Sequence, residues 1–262
     1  MSPRVTVEQD GHVLLIGVNR PEKRNAWDRR TIDEVGLAYD RLAEDADVRV
    51  AVLHGFGDHF SAGLDLADVW PAIQDDGPDA LAGGGAYDPF GMWKPPVPKP
   101  VVLAVQGIAF TLSIELALAS DIVVAADDVR FRQLEIGRGI IPFGGATVRA
   151  TTQLGWGNAM RFLLTGEEFG AEEAHRIGLV QEVVEPGRQL DRATEIARLV
   201  AEQAPLGVQG TLANARVAQR AEQERAAAEH LRGLMPGILA SEDAAEGLQS
   251  FVERRPARFT GR

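Results

Sequence analysis

From Val101 to Asp121 the chain reads Val-Val-Leu-Ala-Val-Gln-Gly-Ile-Ala-Phe-Thr-Leu-Ser-Ile-Glu-Leu-Ala-Leu-Ala-Ser-Asp. Val101 to Val105 is an apolar, β-rich run that reads as a strand. After Gln106-Gly107 the composition turns helical, and Ile122 to Ala125 opens another strand. Strand, helix and strand in so short a span are the unit of an α/β fold. The same run places one carboxylate, Glu115, among Ile114, Leu116 and Leu118. An ionised carboxylate taken out of water costs several kcal/mol unless it is paired, hydrogen-bonded or protonated. Glu135 repeats the pattern between Leu134 and Ile136. Burial raises a carboxyl pKa toward neutrality, where the group can move protons, so the two glutamates are the candidate catalytic pair. The competing reading makes each a structural partner of a buried arginine, with Arg132 or Arg138 as the cation.

Working outward, Val5 to Glu8 and His12 to Asn19 are β-rich runs split by Asp10-Gly11, a hairpin signal. Asn19-Arg20-Pro21-Glu22-Lys23-Arg24-Asn25 is a charged loop. Ile32, Val35, Leu37, Ala38 and Leu42 recur at helical spacing between Trp27 and Ala46, and Val48 to His54 reads as a buried strand. Gly55 to Leu66 is a glycine-punctuated turn into a helix that begins near Asp65. Trp70 to Lys99, with Gly83-Gly84-Gly85 and Pro95-Pro96-Val97-Pro98, reads as a loop-rich insertion of the kind that forms lids. Ala171 to Ile177 is helical and Leu179 to Val184 a strand. Beyond Leu190 no strand signal remains. Asp191 to Gln203, Gly207 to Arg220 and Ala221 to Leu234 read as helices whose alanine-rich faces suit docking onto the main body or another subunit. The expected division is a core over residues 1–195 and a helical region over 196–262.

Composition narrows the classes. With 262 residues, 45% hydrophobic and 25% charged, the chain can bury one large core. A net charge of -11 disfavours nucleic acid, whose phosphates reward clustered Lys and Arg. The absence of cysteine removes disulfides, thiolate metal sites and cysteine nucleophiles. No run reaches the roughly 18 apolar residues of a membrane helix, and Met1 to Asp10 does not read as a signal peptide. The expected location is cytoplasmic, without membrane or nucleic-acid partners.

The turn Phe60-Ser61-Ala62-Gly63-Leu64-Asp65 and the junction Phe110 to Ser113 both hand a strand to a helix. A helix start presents unpaired N–H groups, and two such donors on one carbonyl oxygen form an oxyanion hole. His54, Asp58 and His59 have a loosely metal-like spacing without a third strong ligand, so a structural role is expected and no metal. Neither a dinucleotide-binding glycine motif nor a phosphate-binding P-loop occurs. Ser61 and Ser113 lack the surroundings of a nucleophilic serine.

These residues resemble the crotonase superfamily, the enoyl-CoA hydratase/isomerase group, over nearly the whole length. The resemblance rests on Asn19 to Ala26, Phe60 to Leu66, Ala104-Val105-Gln106-Gly107, Leu134-Glu135-Ile136, Gly139-Ile140-Ile141-Pro142, Gly144-Gly145-Ala146, Leu163-Leu164-Thr165-Gly166, Gly178-Leu179-Val180 and Phe251 to Pro256. It implies a spiral of ββα units with a C-terminal helical trimerisation region, assembled as homotrimers or hexamers. It also implies an enoyl-CoA hydratase of fatty acid metabolism, adding water syn across the 2,3 double bond. Glu115 would deprotonate water for attack at C3 and Glu135 would protonate C2. The backbone N–H groups of Ala62 and Leu112 would hold the thioester oxygen. Lys23, Arg24, Ala26, Ala62, Leu64, Asp65 and Leu66 would line the CoA path, with coenzyme A entering as part of the acyl-CoA substrate and no separate cofactor. The alternatives are double-bond isomerisation, acyl-CoA or diketone hydrolysis, and a noncatalytic CoA-binding homologue. Three departures stand out against the family pattern. Thr111-Leu112-Ser113 replaces a glycine triplet, Gly137-Arg138 an apolar pair, and Phe143 a small residue.

Overall fold

The computed structural model describes residues 3–219 and 223–260. β1 (Val5–Asp10) and β2 (Val13–Val18) form the hairpin, with Gly11 at φ 59° in its turn. In α1 (Arg29–Glu44) the Asp28 carboxylate accepts the Thr31 N–H as N-cap, and Ile32, Val35, Tyr39 and Leu42 form the buried stripe. There follow β3 (Val50–Gly55), α2 (Leu66–Asp76), β4 (Val101–Val105), β5 (Ile108–Phe110), α3 (Leu112–Ala119), β6 (Ile122–Ala126), β7 (Arg130–Arg132), α4 (Ala146–Gln153) and α5 (Trp156–Thr165). β8 (Glu168–Gly170), α6 (Ala171–Arg176), β9 (Glu182–Val184), α7 (Gln189–Ala201), α8 (Pro205–Gln219), α9 (Gln223–Leu239) and α10 (Glu242–Glu253) complete the chain.

The main sheet has the order β1-β2-β3-β4-β6-β9, antiparallel at β1/β2 and parallel from β2 onward. Its two faces follow the strand period. Leu14, Ile16, Ala51, Leu53, Leu103 and Val105 enter the large core, whereas Val13, Val50, Val52, Val102, Ala104 and Val124 face α7. The small side chains of Ala193, Ala197 and Ala201, one helical turn apart, let α7 lie close on that face, and Arg49 Nη1 donates to the Ala201 carbonyl at 2.7 Å. α7 therefore belongs to the core layer, and a boundary at residue 195 cuts through it.

A second, smaller sheet runs β5-β7-β8. Single-residue parallel bridges, Ser61 to Ala109 and Trp27 to Leu64, extend it. Each turn of chain leaves the main sheet, adds a rung to this second layer and returns through a helix, which is the spiral the resemblance implies. The active-site turns at residues 61–64 and 109–112 are neighbours for this reason.

Three expectations change. The insertion after Trp70 is not loop throughout: α2 carries Pro71 and reaches Asp76, and a short 3-10 helix covers Gly77–Leu81. Leu179 and Val180 are buried but lie outside β9, which begins at Glu182. α9 runs on through Pro236, while the expected helix ends at Arg220 and Ala221 lie outside the described residues. No described helix is long and apolar enough to cross a membrane.

Candidate active site

A cavity of about 430 Å³ opens between the 23–26 loop, the 62–67 turn, the Phe110-Thr111 junction and the 134–143 segment. Phe251 of α10 closes one side. A larger hollow of about 680 Å³ between α3, α4 and α8 contains neither candidate glutamate.

Glu135 lines the cavity and is nevertheless 8% exposed. Its pKa is pushed up to about 8, first by burial and then by the charge of Glu115. Its Oε2 has no hydrogen-bond partner among the described residues. Glu115, on α3, lies one layer deeper and is not part of the cavity wall. Its Oε1 accepts the N–H groups of Gly144 (2.7 Å) and Ala146 (3.2 Å). Burial raises its pKa to about 7, against the lowering pull of those amides and of Arg149. Gly144 is required because a Cβ there would stand 2.5 Å from Glu115 Oε2. Phe143, the chain neighbour of Gly144, is on the cavity wall. Among the described residues neither Arg132 nor Arg138 pairs with either glutamate: Arg132 donates to the Gly166 carbonyl at 2.6 Å, and the Arg138 guanidinium carbon lies 4.0 Å from the centre of the Phe251 ring.

Two backbone N–H groups in the turns that border the cavity have no backbone acceptor among the described residues. Gly63 O accepts from Trp27 N at 2.9 Å and Asp65 N donates to Trp27 O at 2.8 Å. These bonds bracket Leu64, whose own N–H has no acceptor among the described residues and which lines the cavity. Leu112 opens α3, so its N–H has no intrahelical acceptor. The two turns touch: at φ 104° Gly63 has no room for a Cβ, which would overlap Thr111 Oγ1. Thr111 itself takes φ 51°, a conformation that a β-branched residue holds only under constraint. The constraint is its N–H bond to Arg132 O at 2.8 Å. The Leu112 side chain is buried in the core and does not narrow the cavity.

The sequence pattern of the family described as enoyl-CoA hydratase/isomerase matches residues 8–262. The chain belongs to this family. A carnitinyl-CoA dehydratase of Escherichia coli (strain K12) is 35% identical over 270 residues, with 100% of both chains covered. Among solved structures, one described as a probable enoyl-CoA hydratase/isomerase from Mycobacterium abscessus is 49% identical, with TM-score 0.79 over 99% of each chain. A carnitinyl-CoA hydratase from Mycobacterium avium is 33% identical, with TM-score 0.88 over 100% of each. The crotonase-type fold is thereby shown for this chain, together with crotonase-family hydratase chemistry on CoA thioesters.

Within it, Lys23, Arg24, Ala26, Ala62, Leu64, Asp65 and Leu66 all lie on the wall of the one cavity, alongside Glu135. One expected role is corrected. The Ala62 N–H donates to the Arg24 carbonyl at 2.9 Å and is not available to an oxyanion; the unpaired amide of that turn is Leu64's. The serines are tied to the backbone: Ser61 Oγ donates to Asn25 O at 2.8 Å and accepts from Gly63 N at 3.1 Å, and Ser113 Oγ donates to Ser61 O at 3.3 Å. His54 is buried with its pKa lowered to about 4 by desolvation and packs edge-on to Phe56, and His59 Nδ1 accepts from Ile108 N.

The sequence reading missed the residues that hold the 20–26 loop. Asn25 is fully buried at φ 52°; its amide donates to the carbonyls of Phe56 (2.8 Å) and His59 (2.7 Å) and its Oδ1 accepts the Arg20 N–H at 2.8 Å. Arg20 pairs with Asp65 at 2.8 Å, so Asp65 braces the wall more than it meets a ligand. An asparagine among charges, directly after a proline turn, is the one available signal, since Asn tolerates positive φ. Asn25→Ala removes the partner of one buried and two part-buried backbone groups and is expected to cost about 2–3 kcal/mol. Chemical denaturation measures that loss, and calorimetry should show weaker CoA binding in the variant.

Proposed function

We propose that the protein hydrates a 2-enoyl-CoA thioester, adding water syn across the 2,3 double bond, and by microscopic reversibility dehydrates the 3-hydroxyacyl thioester. The observation that carries this reading is a pair of buried glutamates whose pKa values burial raises toward neutrality, Glu135 on the cavity wall and Glu115 one layer behind it, with the Leu64 and Leu112 amides free of backbone acceptors, among the described residues, in the adjoining turns. Hydration needs a base for water and an acid for carbon, and the two glutamates supply both.

In this reading the N–H groups of Leu64 and Leu112 hold the thioester oxygen while enolate charge gathers on it. Loss of one such donor typically lowers kcat by a factor of about 100 to 1,000. Glu115, oriented by the Gly144 and Ala146 amides, removes a proton from water as its oxygen attacks C3. Glu135, on the cavity wall and kept protonated by burial and by its acidic neighbour, delivers a proton to C2. The electron pair of the double bond passes through the enolate and returns to form the C2–H bond. Lys23 and Arg24, on the separate 23–26 loop, suit the phosphates of CoA.

The coupled pair titrates at about 7 and about 8. One proton is then shared between the two carboxylates in that interval. Below it the base becomes protonated and above it the acid loses its proton. The expected kcat/KM profile is a bell with its top between those values, falling about tenfold per pH unit on either side. The assay follows the absorbance of the conjugated enoyl thioester of crotonyl-CoA across pH. A flat profile, or no loss of absorbance, overturns the assignment.

A further inference from the structure

Arg138 follows Glu135 by one 3-10 turn and stands on the same cavity wall. Its guanidinium has no hydrogen-bond acceptor and no ion-pair partner among the described residues; what it touches is the ring of Phe251. Phe251 comes close because Gly139 and Gly247 let α10 approach the turn: a Cβ on either would overlap backbone of the other segment. The contact with the ring holds the guanidinium carbon 4.0 Å from its centre and leaves the N–H groups without an acceptor among the described residues. Arginine presents five donors in a planar fork that fits a carboxylate bidentately.

The remaining charges on the wall do not answer it. Asp65 is already paired with Arg20. Glu135, one turn away, is held largely protonated by burial. Lys23 and Arg24 add positive charge, so the wall is cationic in a protein of net charge -11. The phosphates of CoA are separated from the thioester by the whole pantetheine arm. A group that reaches Arg138 while C2 lies at Glu135 belongs to the acyl chain.

We propose that Arg138 receives an anionic group at the far end of the acyl chain, so that the preferred substrate is a 2-enoyl-CoA whose tail carries a carboxylate. The inference rests on the hydration reading for its reaction, and it separates this protein from the substrate in the carnitinyl-CoA names of its relatives. A carnitinyl chain ends in a quaternary ammonium, which such sites hold on an open aromatic face. Here the face of Phe251 is covered by a like charge.

Three saturated thioesters that share the butyryl backbone test this without turnover: glutaryl-CoA with a carboxylate on C4, butyryl-CoA with none, and the C4-trimethylammonio analogue of butyryl-CoA. Calorimetry with the wild-type protein should show glutaryl-CoA binding about tenfold or more tighter than butyryl-CoA, and the cationic thioester weakest. Arg138→Leu should remove the glutaryl advantage and leave butyryl-CoA within about threefold, while Arg138→Lys, which keeps the charge and loses the fork, falls between. Equal wild-type affinities, or tighter binding of the cation, overturn the proposal. So does a uniform loss for all three with Arg138→Leu, which would assign Arg138 to a CoA phosphate or to docking of α10. Should Arg138→Leu fail to fold, the wild-type order and Arg138→Lys decide. Turnover is read separately: glutaconyl-CoA should be hydrated with higher kcat/KM than crotonyl-CoA. If the binding order holds and neither is hydrated, the hydration reading fails while the anion site stands; if both are hydrated without the order, the reverse is true.

Discussion

Glu135→Gln is expected to lower kcat/KM for a 2-enoyl-CoA by about 100 to 10,000-fold, and Glu115→Gln by a similar factor, because each removes a proton-transfer group while keeping its shape. KM should change little, since neither carboxylate is assigned to CoA. The double variant should lose far less than the product of the single losses, as expected for groups that act in one step. Stability moves the other way. Both folded pKa values lie above the ordinary 4.5, so the native state holds protons that the unfolded chain releases. That contribution is fully present below about 4.5 and is lost as pH rises through about 7 and about 8, so stability falls across that window. Either glutamine variant should flatten this fall and melt higher than wild type at alkaline pH. Steady-state kinetics and thermal melts across pH check both halves. A variant that keeps wild-type turnover removes its residue from the chemistry.

Gly63→Ala carries the second large effect. At φ 104° an alanine is strained, and its Cβ would overlap Thr111 Oγ1. Strain and overpacking together are expected to cost about 2–5 kcal/mol. Catalysis should suffer more specifically. The 61–64 turn carries the Leu64 amide and Thr111 precedes the Leu112 amide, so pushing the turns apart spreads the two donors. A loss of about 100-fold or more in kcat is expected, with KM much less affected. Thr111→Ala in the same chain removes the colliding hydroxyl and methyl and should restore part of the rate and of the stability. A double-mutant cycle reads that coupling. Additive losses would show that the Gly63–Thr111 contact does not set the donor geometry.

Much of this site is written in local sequence. A glutamate among aliphatic neighbours declares its burial, and both Glu115 and Glu135 prove buried with raised pKa values. Strand-to-helix handovers declare unpaired amides, and both turns lie at the cavity. What local sequence does not declare is which amide of a turn is already used. Ala62 and Leu64 differ only in that Arg24, far back in the chain, accepts from the first. The supporting groups are hidden for the same reason. Asn25 acts through carbonyls beyond residue 55, Arg149 lowers the pKa of Glu115 from α4, and Asp88 accepts the Phe90, Met92 and Trp93 amides inside the insertion. Phe251 reaches Arg138 only because Gly139 and Gly247 permit close packing, a relation no periodicity encodes. α7 shows the complementary case: its alanines at one-turn spacing mark a close docking face, and that face is the main sheet.

In the proposed reaction water is added to C3 of an intact thioester while a proton goes to C2. Crotonyl-CoA incubated with the protein in heavy-oxygen water, followed by mass spectrometry, tests it most directly. Hydration places the heavy oxygen as a hydroxyl on C3 of an unbroken CoA thioester, in an amount that collapses in Glu115→Gln and Glu135→Gln. Heavy oxygen in a free carboxylic acid with release of CoA, or a thioester recovered without it, would contradict the account.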